Sequence, residues 1–449
     1  MLFALGLAVR VAVVVWAAPR FPPVEDARFY HQLATRIAAG LGYTWQWPDG
    51  VVTFVAHYPV GYPALVAALY RGFGASPTVA MTLNAALGAL AVLGLHRLVA
   101  ADAGRLAAGF AAVTFALHPA AVFYTPALMT EGVTAALLVL CAFSAVRARA
   151  HDSWWLLALA GGLAGVAILV RGQSLLLLPV FVWLAARGVG RERPPRRVLR
   201  GFVLVCAAAL VVLPWTARNC QRMDRCVVVS ANVGWNLLIG VTPGATGTFV
   251  PITGETVPAE CRTVFGEAEK DRCFTSAALR QIRAAPMRWL GLIPKKLAQT
   301  FEYCGAAGWY LSVSGPSSFS EQDKLRLGVV ETVWQRTLLL LALFGVARLP
   351  GALRRTRSAL SALGALASLL PLAWVAHVLL CLGVGLVGRP ILRQPSIVAS
   401  ATVVALTAAT HAAFFGAGRY SLVTLPFVVV LGASALRAAR TDRDGEAES

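Results

Sequence analysis

Charge is scarce in this 449-residue sequence: Asp, Glu, Lys and Arg together make up 14% of it, against 58% hydrophobic residues. A soluble domain could not bury so much apolar surface, so a water-soluble globular protein is excluded. Acidic residues are scarcer still, 21 against 40 basic, for a formal net charge of +19. Strand-like alternation is missing from the apolar runs, which excludes a membrane β-barrel. A clear A-x-A cleavage site before Arg20 is also missing, and Arg10 interrupts the first apolar run, so residues 1–20 read as a retained span rather than a signal peptide. There is no convincing internal repeat.

What is present is a succession of Ala/Leu/Val/Gly-rich runs: 1–20, 78–100, 106–124, 132–146, 154–170, 173–186, 201–216, 327–347, 359–388, 396–415 and 420–436. A helix of roughly 18 or more apolar residues spans about 30 Å of hydrocarbon. The expected fold is therefore an all-α polytopic membrane protein of about 11–13 transmembrane helices. The positive charge does not point to nucleic acid. Arginines cluster in short gaps between runs: Arg147 and Arg149; Arg187, Arg191, Arg193, Arg196, Arg197 and Arg200; Arg348, Arg354, Arg355 and Arg357; Arg437, Arg440 and Arg443. That is the positive-inside pattern, with membrane lipid as the partner of the charge. Arg10 is expected to snorkel to the cytosolic face or to pair within the bundle.

The arginine rule puts residues 21–77 and the stretch His118 to Glu131 outside, a turn near Arg97 and Arg105 inside, and a large segment, 217–325, outside. The chain divides accordingly into an N-terminal transmembrane module (1–216), that extracytoplasmic segment, C-terminal transmembrane helices (326–440) and a tail, 441–449, whose composition reads as disordered. Pro371 is expected to split 359–388 into two short helices, which keeps Arg389 and Arg393 inside and Gly418–Tyr420 outside. Segment 217–325 holds five of the eight cysteines, and an oxidising compartment favours the pairs Cys220–Cys226 and Cys261–Cys273, with Cys304 left over. Cys141, Cys206 and Cys381 fall in spans and read as small packing residues.

Polar residues at the outer face carry the functional signal, because charge at a membrane edge is costly without a role or a partner. After Glu25-Asp26, the apolar residues Phe29, Leu33, Ile37 and Leu41 recur at helical spacing and predict an amphipathic helix in the interface. Asp26 stands at its start, where it is either a plain N-cap or a reactive carboxylate; Glu25 is either a neighbour of the site or simply solvated. His57-Tyr58-Pro59-Val60-Gly61-Tyr62-Pro63 sets a rigid turn at a helix start, with aromatics that suit an interface belt or a sugar or lipid contact. Glu131 either caps the fourth span or sits in the site. His57 and His118 are isolated histidines and read as hydrogen-bonding groups rather than metal ligands.

Taken in order, these segments resemble the GT-C glycosyltransferases, and more narrowly family 39 and its protein-mannosyltransferase-like bacterial relatives. The resemblance rests on Asp26-Ala-Arg-Phe-Tyr30 with Gly40 downstream, Tyr58-Pro-x-Gly-Tyr-Pro63, Pro126-Ala-Leu-Met-Thr-Glu131, Leu169-Val-Arg171, Ser230-Ala-Asn232-Val-Gly234-Trp-Asn236, and Gly418-Arg-Tyr420. It implies transfer of a monosaccharide from a polyprenyl-phosphate donor to an acceptor hydroxyl of a lipid, glycan or protein. The reaction would run with inversion at the outer face of the inner (plasma) membrane. The family's catalytic acid residue falls on Asp26, as general base. The leaving phosphate would meet Arg171, Arg419 and Tyr420, with Lys296 (beside Lys295) a further basic point, and Glu25, His57, Tyr58, Tyr62 and Glu131 would complete the substrate site. No cofactor is implied with certainty, since some relatives use a divalent cation and others do not. The sequence departs from the eukaryotic enzymes in placing Glu25 before Asp26 and in lacking a large folded insertion between later spans. The rival expectations are a transporter or lipid-carrier flippase, which usually shows internal repeats and charged or broken helices at the bilayer midplane, and an inactive scaffold relative.

Overall fold

The computed structural model describes residues 1–186 and 194–436. Arg187, Arg191, Arg193, Arg437, Arg440, Arg443 and the tail 441–449 lie outside the described residues. The first helix, α1 (Leu2–Ala17), is followed by α2 (Asp26–Ala38), a small antiparallel hairpin of β1 (Thr44–Gln46) and β2 (Val52–Phe54), and α3 (Gly61–Phe73). Then come α4 (Pro77–Ala116), α5 (Pro119–Phe123), α6 (Thr130–Ala150), α7 (Trp154–Val170), α8 (Leu178–Ala186) and α9 (Pro194–Arg222). The segment beyond holds α10 (Val233–Ile239), α11 (Glu267–Ala284), α12 (Pro286–Phe301) and α13 (Ala306–Ser314). The chain closes with α14 (Glu321–Arg348), α15 (Arg354–Leu369), α16 (Ala373–Gly385), α17 (Pro395–Ala413) and α18 (Leu425–Ala433).

Five described helices are long and apolar enough to cross a membrane: Pro77–Ala116, Thr130–Ala150, Pro195–Arg222, Glu321–Arg348 and Pro395–Ala413. Shorter apolar helices accompany them at Leu2–Ala17, Trp154–Val170, Gly172–Ala186, Ala373–Gly385 and Leu425–Leu436. The protein is thus a multi-pass membrane protein, helical but for one short hairpin. The longest helix is really two. Gly104 takes φ +86°, a backbone state open to glycine at little cost, and breaks the chain there. Arg10 measures the consequence. Its guanidinium donates to the Phe115 and Ala116 carbonyls at 3.4 and 3.3 Å, while its chain packs against Gly88. Along one straight helix Gly88 and Phe115 would lie roughly 40 Å apart, so α4 folds back on itself. Arg10 pairs within the bundle, fully buried, over the Phe115 ring.

The 359–388 run is two helices, α15 and α16, separated at Leu370–Leu372 around Pro371, which has no amide hydrogen to continue the first. Two expectations are corrected. The α2 face that packs inward is Ala27, Tyr30, Leu33 and Ala34; Leu41 lies beyond the helix end and is exposed, because the helix stops at Ala38 and Gly40 turns the chain away at φ +77°. The stretch from His118 to Glu131 is not a solvated loop: α5 tucks into the bundle, and His118 is buried against Gln335, 3.3 Å from its Oε1.

The segment after α9 has a small core of its own, Leu238, Val241, Cys261, Phe274 and Ala278. The disulfides Cys220–Cys226 and Cys261–Cys273 both form, and Cys304 is free and buried. Cys141, Cys206 and Cys381 are free as well, inside or against helices.

Candidate active site

A cavity of about 1280 Å³ opens between the first loop, the ends of α6 and α7, the α10–α11 segment and the loop before α18. Its floor is charged and its mouth is aromatic, with Trp47, Phe54 and Phe265 exposed at the rim. Asp26 stands in the wall at the first turn of α2. The preceding residue, Glu25, adopts φ +51° and makes no capping bond with its side chain, and Asp26 is not spent as a cap either. Instead Asp26 Oδ1 accepts from the Tyr58 hydroxyl at 2.9 Å, and Oδ2 accepts from Arg419 Nη1 at 2.8 Å.

The charges alternate from there. Arg419 Nε lies 3.6 Å from Glu131 Oε1, and the same oxygen meets Arg171 Nη1 at 2.9 Å. The Tyr124 hydroxyl donates to Glu131 Oε2 at 3.3 Å, and Arg171 also donates to Thr130 Oγ1. Both guanidiniums lie over the Tyr420 ring, at 5.0 Å for Arg171 and 5.3 Å for Arg419, with His411 stacked on that ring at 4.0 Å. Two carboxylates and two arginines, drawn from α2, the start of α6, the end of α7 and the 418–423 turn, form one neutral array. Burial pushes the Asp26 carboxyl upward, but the Arg419 charge and the hydrogen bonds from Arg419 and Tyr58 outweigh it and hold the group below its ordinary range. Asp26 is therefore ionised at neutral pH. Burial raises the Tyr58 phenol, as does the adjacent Asp26 charge, so it stays a donor.

Local packing explains the register. Gly61 starts α3 so close to the end of α7 that a Cβ would lie 2.4 Å from the Val170 nitrogen. Only glycine allows that approach, which seats Arg171 beside the first loop. The loop carrying His57 and Tyr58 is braced by the end of α9 and by α10: Arg218 Nη1 donates to the Val55 carbonyl at 2.9 Å, and His57 packs edge-on against Trp235 at 5.5 Å.

Of the residues singled out from the sequence, the structure brings Asp26, His57, Tyr58, Glu131, Arg171, Arg419 and Tyr420 into this one cavity. Glu25 is exposed and does not line it. Tyr62 is fully buried and packs edge-on against Tyr30, because the rotation of α3 turns it into the bundle. Lys296 also points elsewhere: its Nζ donates to the Ala413 carbonyl at 3.1 Å, and burial pushes it down to about 8. Sequence reasoning missed Asp224, Glu267, Lys270 and His411, all of which line the cavity. For Asp224, Glu267 and Lys270 the only sequence signal was polarity in a segment too hydrophilic for lipid; His411 is a lone polar residue near the end of the apolar run 396–415.

The carboxylates at the floor are already paired with guanidiniums, and among the described residues no group of three His, Cys, Asp or Glu side chains comes together.

The sequence profile of the family described as dolichyl-phosphate-mannose-protein mannosyltransferase matches residues 57–216, from the His57–Pro63 motif to within α9. Over that stretch the chain is similar to the family; the rest of the chain lies outside the match. No curated protein matches it significantly. Among solved structures it is similar to the archaeal oligosaccharyltransferase AglB from Archaeoglobus fulgidus in complex with an inhibitory peptide and a dolichol-phosphate, at 15% identity and a TM-score of 0.44, over 96% of this chain and 50% of that one. The apo form of the Archaeoglobus fulgidus oligosaccharyltransferase aligns at 12% identity and a TM-score of 0.47, over 97% and 50%. ArnT from Cupriavidus metallidurans bound to undecaprenyl phosphate aligns at 17% identity and a TM-score of 0.39, over 97% and 77%. The chain spans about half the length of the oligosaccharyltransferase chains it matches.

Proposed function

We propose that the chain transfers a monosaccharide from a polyprenyl-phosphate-linked donor to an acceptor hydroxyl of a lipid, glycan or protein, at the extracytoplasmic face of the inner membrane. The observation that carries this reading is Asp26: an ionised carboxylate in a cavity wall, one oxygen on Tyr58 and the other on Arg419, beside the Arg171–Glu131 pair. Donor chemistry comes from the family description, which names a dolichyl-phosphate sugar, and from two guanidiniums at one floor, whose forked donors match phosphate oxygens.

The geometry supports the following steps. The donor phosphate draws Arg419 and Arg171 toward itself, and the charge that depresses the Asp26 carboxyl moves off it. Asp26 becomes a stronger base at the moment it is needed. It takes the acceptor proton; the acceptor oxygen forms its bond to the anomeric carbon as the carbon–phosphate oxygen bond breaks; the lipid phosphate leaves with the electron pair. A phosphate leaves without protonation, so one carboxylate serves where glycosidases need two, and a single displacement inverts the anomeric centre.

The test is transfer of radiolabelled sugar from a panel of polyprenyl-phosphate monosaccharides into membranes carrying wild type or Asp26→Asn. Wild type transfers from at least one donor, and the variant, still folded, loses about a hundredfold or more in kcat. Full activity in Asp26→Asn removes Asp26 from the role of base. No consumption of any donor by wild type removes the transferase reading for this donor class.

A further inference from the structure

The geometry points to Glu267 as a positioning residue for the proposed transfer: its carboxylate, carried on the soluble segment, holds the backbone of Ala56 and His57 so that Tyr58 presents its hydroxyl to Asp26. This rests on the transferase reading above. Glu267 is the first residue of α11, where backbone amides have no helical partner and a side chain would ordinarily cap them. It is spared that task. Asp224, remote in sequence, caps α11 in its place, accepting from the Glu269 amide at 2.7 Å and the Ala268 amide at 3.3 Å. Glu267 turns the other way. Its Oε1 accepts from the Ala56 amide at 3.0 Å, and its carboxylate takes the His57 amide as well.

Two further bonds fix the same few residues. The Ala231 amide donates to the Ala56 carbonyl at 2.8 Å, and Arg218 holds the Val55 carbonyl. Ala56 is thereby gripped at both its amide and its carbonyl, two residues before Tyr58. Glu267 also lines the cavity, so the extracytoplasmic segment is part of the site rather than a cover over it. The charged and titratable groups that act on its carboxylate are Arg218 on α9, Asp224 after it, and His57 and Tyr43 on the first loop; Lys270, on its own helix, lines the same cavity.

A carboxylate that accepts two amide hydrogen bonds is a stronger clamp than a protonated one, which has only lone pairs of a neutral acid to offer. Burial pushes this carboxyl up to about 7, against the opposing pull of the Ala56 and His57 amides. Asp26 is held below the carboxylate range, and burial keeps His57 below its ordinary 6.5. Lys296, pushed down to about 8, is bonded to the Ala413 carbonyl and does not line the cavity, so among the groups around the first loop a step in activity between pH 6 and 8 belongs to Glu267.

The experiment compares wild type, Glu267→Gln and Glu267→Ala in full-length protein, reading kcat and donor KM from pH 6 to 8 together with hydrogen exchange at the Ala56 and His57 amides. Glu267→Ala lowers kcat by about 10- to 100-fold, the order expected for a misplaced catalytic group, with donor KM within about twofold, and deprotects both amides. Glu267→Gln, which keeps an acceptor oxygen, recovers to within about threefold of wild type and lacks the fall in kcat that wild type shows below pH 7. Wild-type kcat and unchanged amide protection in Glu267→Ala overturn the proposal, and so does a rise in donor KM with kcat intact, which would make Glu267 a substrate contact. Where Glu267→Ala does not fold, the pH profile of Glu267→Gln decides: a step identical to wild type overturns the assignment. Hydrogen exchange needs no turnover, so a clamp that is present in a protein with no transferase activity separates failure of the functional reading from failure of this one.

Discussion

At the scale of single residues, the site works through bonds that compete. Arg419 spans Asp26 and Glu131 with different nitrogens of one guanidinium, a reach that the single ammonium of lysine cannot reproduce. Arg419→Lys is therefore expected to lower kcat/KM for donor by about tenfold or more, a charge-conserving change whose effect steady-state kinetics reads directly. Tyr58→Phe removes one donor to Asp26 and leaves the ring stacked beside Phe29. Its expected cost is a loss of about three- to tenfold in kcat with donor KM unchanged, and a Tyr58→Phe enzyme at full rate would detach Tyr58 from the base. Glu331 is the opposite case. Both its carboxyl oxygens are buried in α14 without a hydrogen-bond partner among the described residues, so a shape-matched apolar side chain relieves a cost rather than removing a bond. Glu331→Met is expected to raise the melting temperature in detergent; a lower one would mean that the carboxyl has a partner in the working protein. Residue identity carried part of this in the sequence: Asp26, Glu131, Arg171 and Arg419 were legible because charge at a membrane edge is rare. Glu25, Tyr62 and Lys296 do not line the cavity, Tyr62 and Lys296 because side-chain direction depends on helix rotation, which a motif does not encode.

At the scale of elements, breaks were easier to read than faces. Pro371 announced the division between α15 and α16, since proline lacks the amide hydrogen that a helix interior uses. The α2 stripe was displaced because small residues, Ala27 and Ala34, form half of its packed face, and alanine weighs little in a hydrophobic pattern. At the fold-back in α4, Gly104 has open space around its Cβ position, so any penalty for a side chain is purely that of the +86° backbone. Gly104→Ala is expected to cost about 1–2 kcal/mol, measurable as a lowered thermal or denaturant midpoint with no change in donor KM. The α11 clamp gives a pH prediction of definite sign. The folded-state value of Glu267, about 7, lies above the ordinary 4.5 of a glutamate. The folded protein thus binds this proton more tightly than the unfolded chain, and the resulting stability is full below about 4.5 and lost as pH rises through 7. Wild type should lose thermal stability relative to Glu267→Gln between pH 5 and 8, even as its clamp on the first loop tightens. Parallel stability curves for the two proteins over that range would show that the group is not raised.

At the scale of the whole molecule, the site is assembled from opposite ends of the chain. Asp26 and Arg419 are 393 residues apart yet share a hydrogen bond, and Glu267 meets Ala56 across 211. No local pattern can announce such pairs, which is why the soluble segment's part in the cavity was invisible in sequence while the spans that deliver it were plain. The same geometry constrains orientation. Residues from the first loop, from the α10–α11 segment and from the 418–423 turn line one cavity, so all three must open on one side of the membrane. The arginines at 147 and 149, and at 196, 197 and 200, belong on the other by the positive-inside rule. Single cysteines introduced at Trp47 and Phe265, both exposed at the cavity rim, should react in intact cells with a membrane-impermeant maleimide, whereas one at Arg196 should react only after permeabilisation. Because the native Cys141, Cys206, Cys304 and Cys381 are unpaired, the labelling needs a background with those four replaced, and the two disulfides in the soluble segment left intact. Labelling at Arg196 but not at Trp47 would invert the protein and place the cavity in the cytosol. The transfer chemistry at Asp26 would then survive as geometry, but its donor would have to be presented from the cytosolic leaflet, and the disulfides Cys220–Cys226 and Cys261–Cys273 would stand in a reducing compartment where such bonds do not persist. Orientation and oxidation state therefore have to agree, and both favour a cavity that faces out.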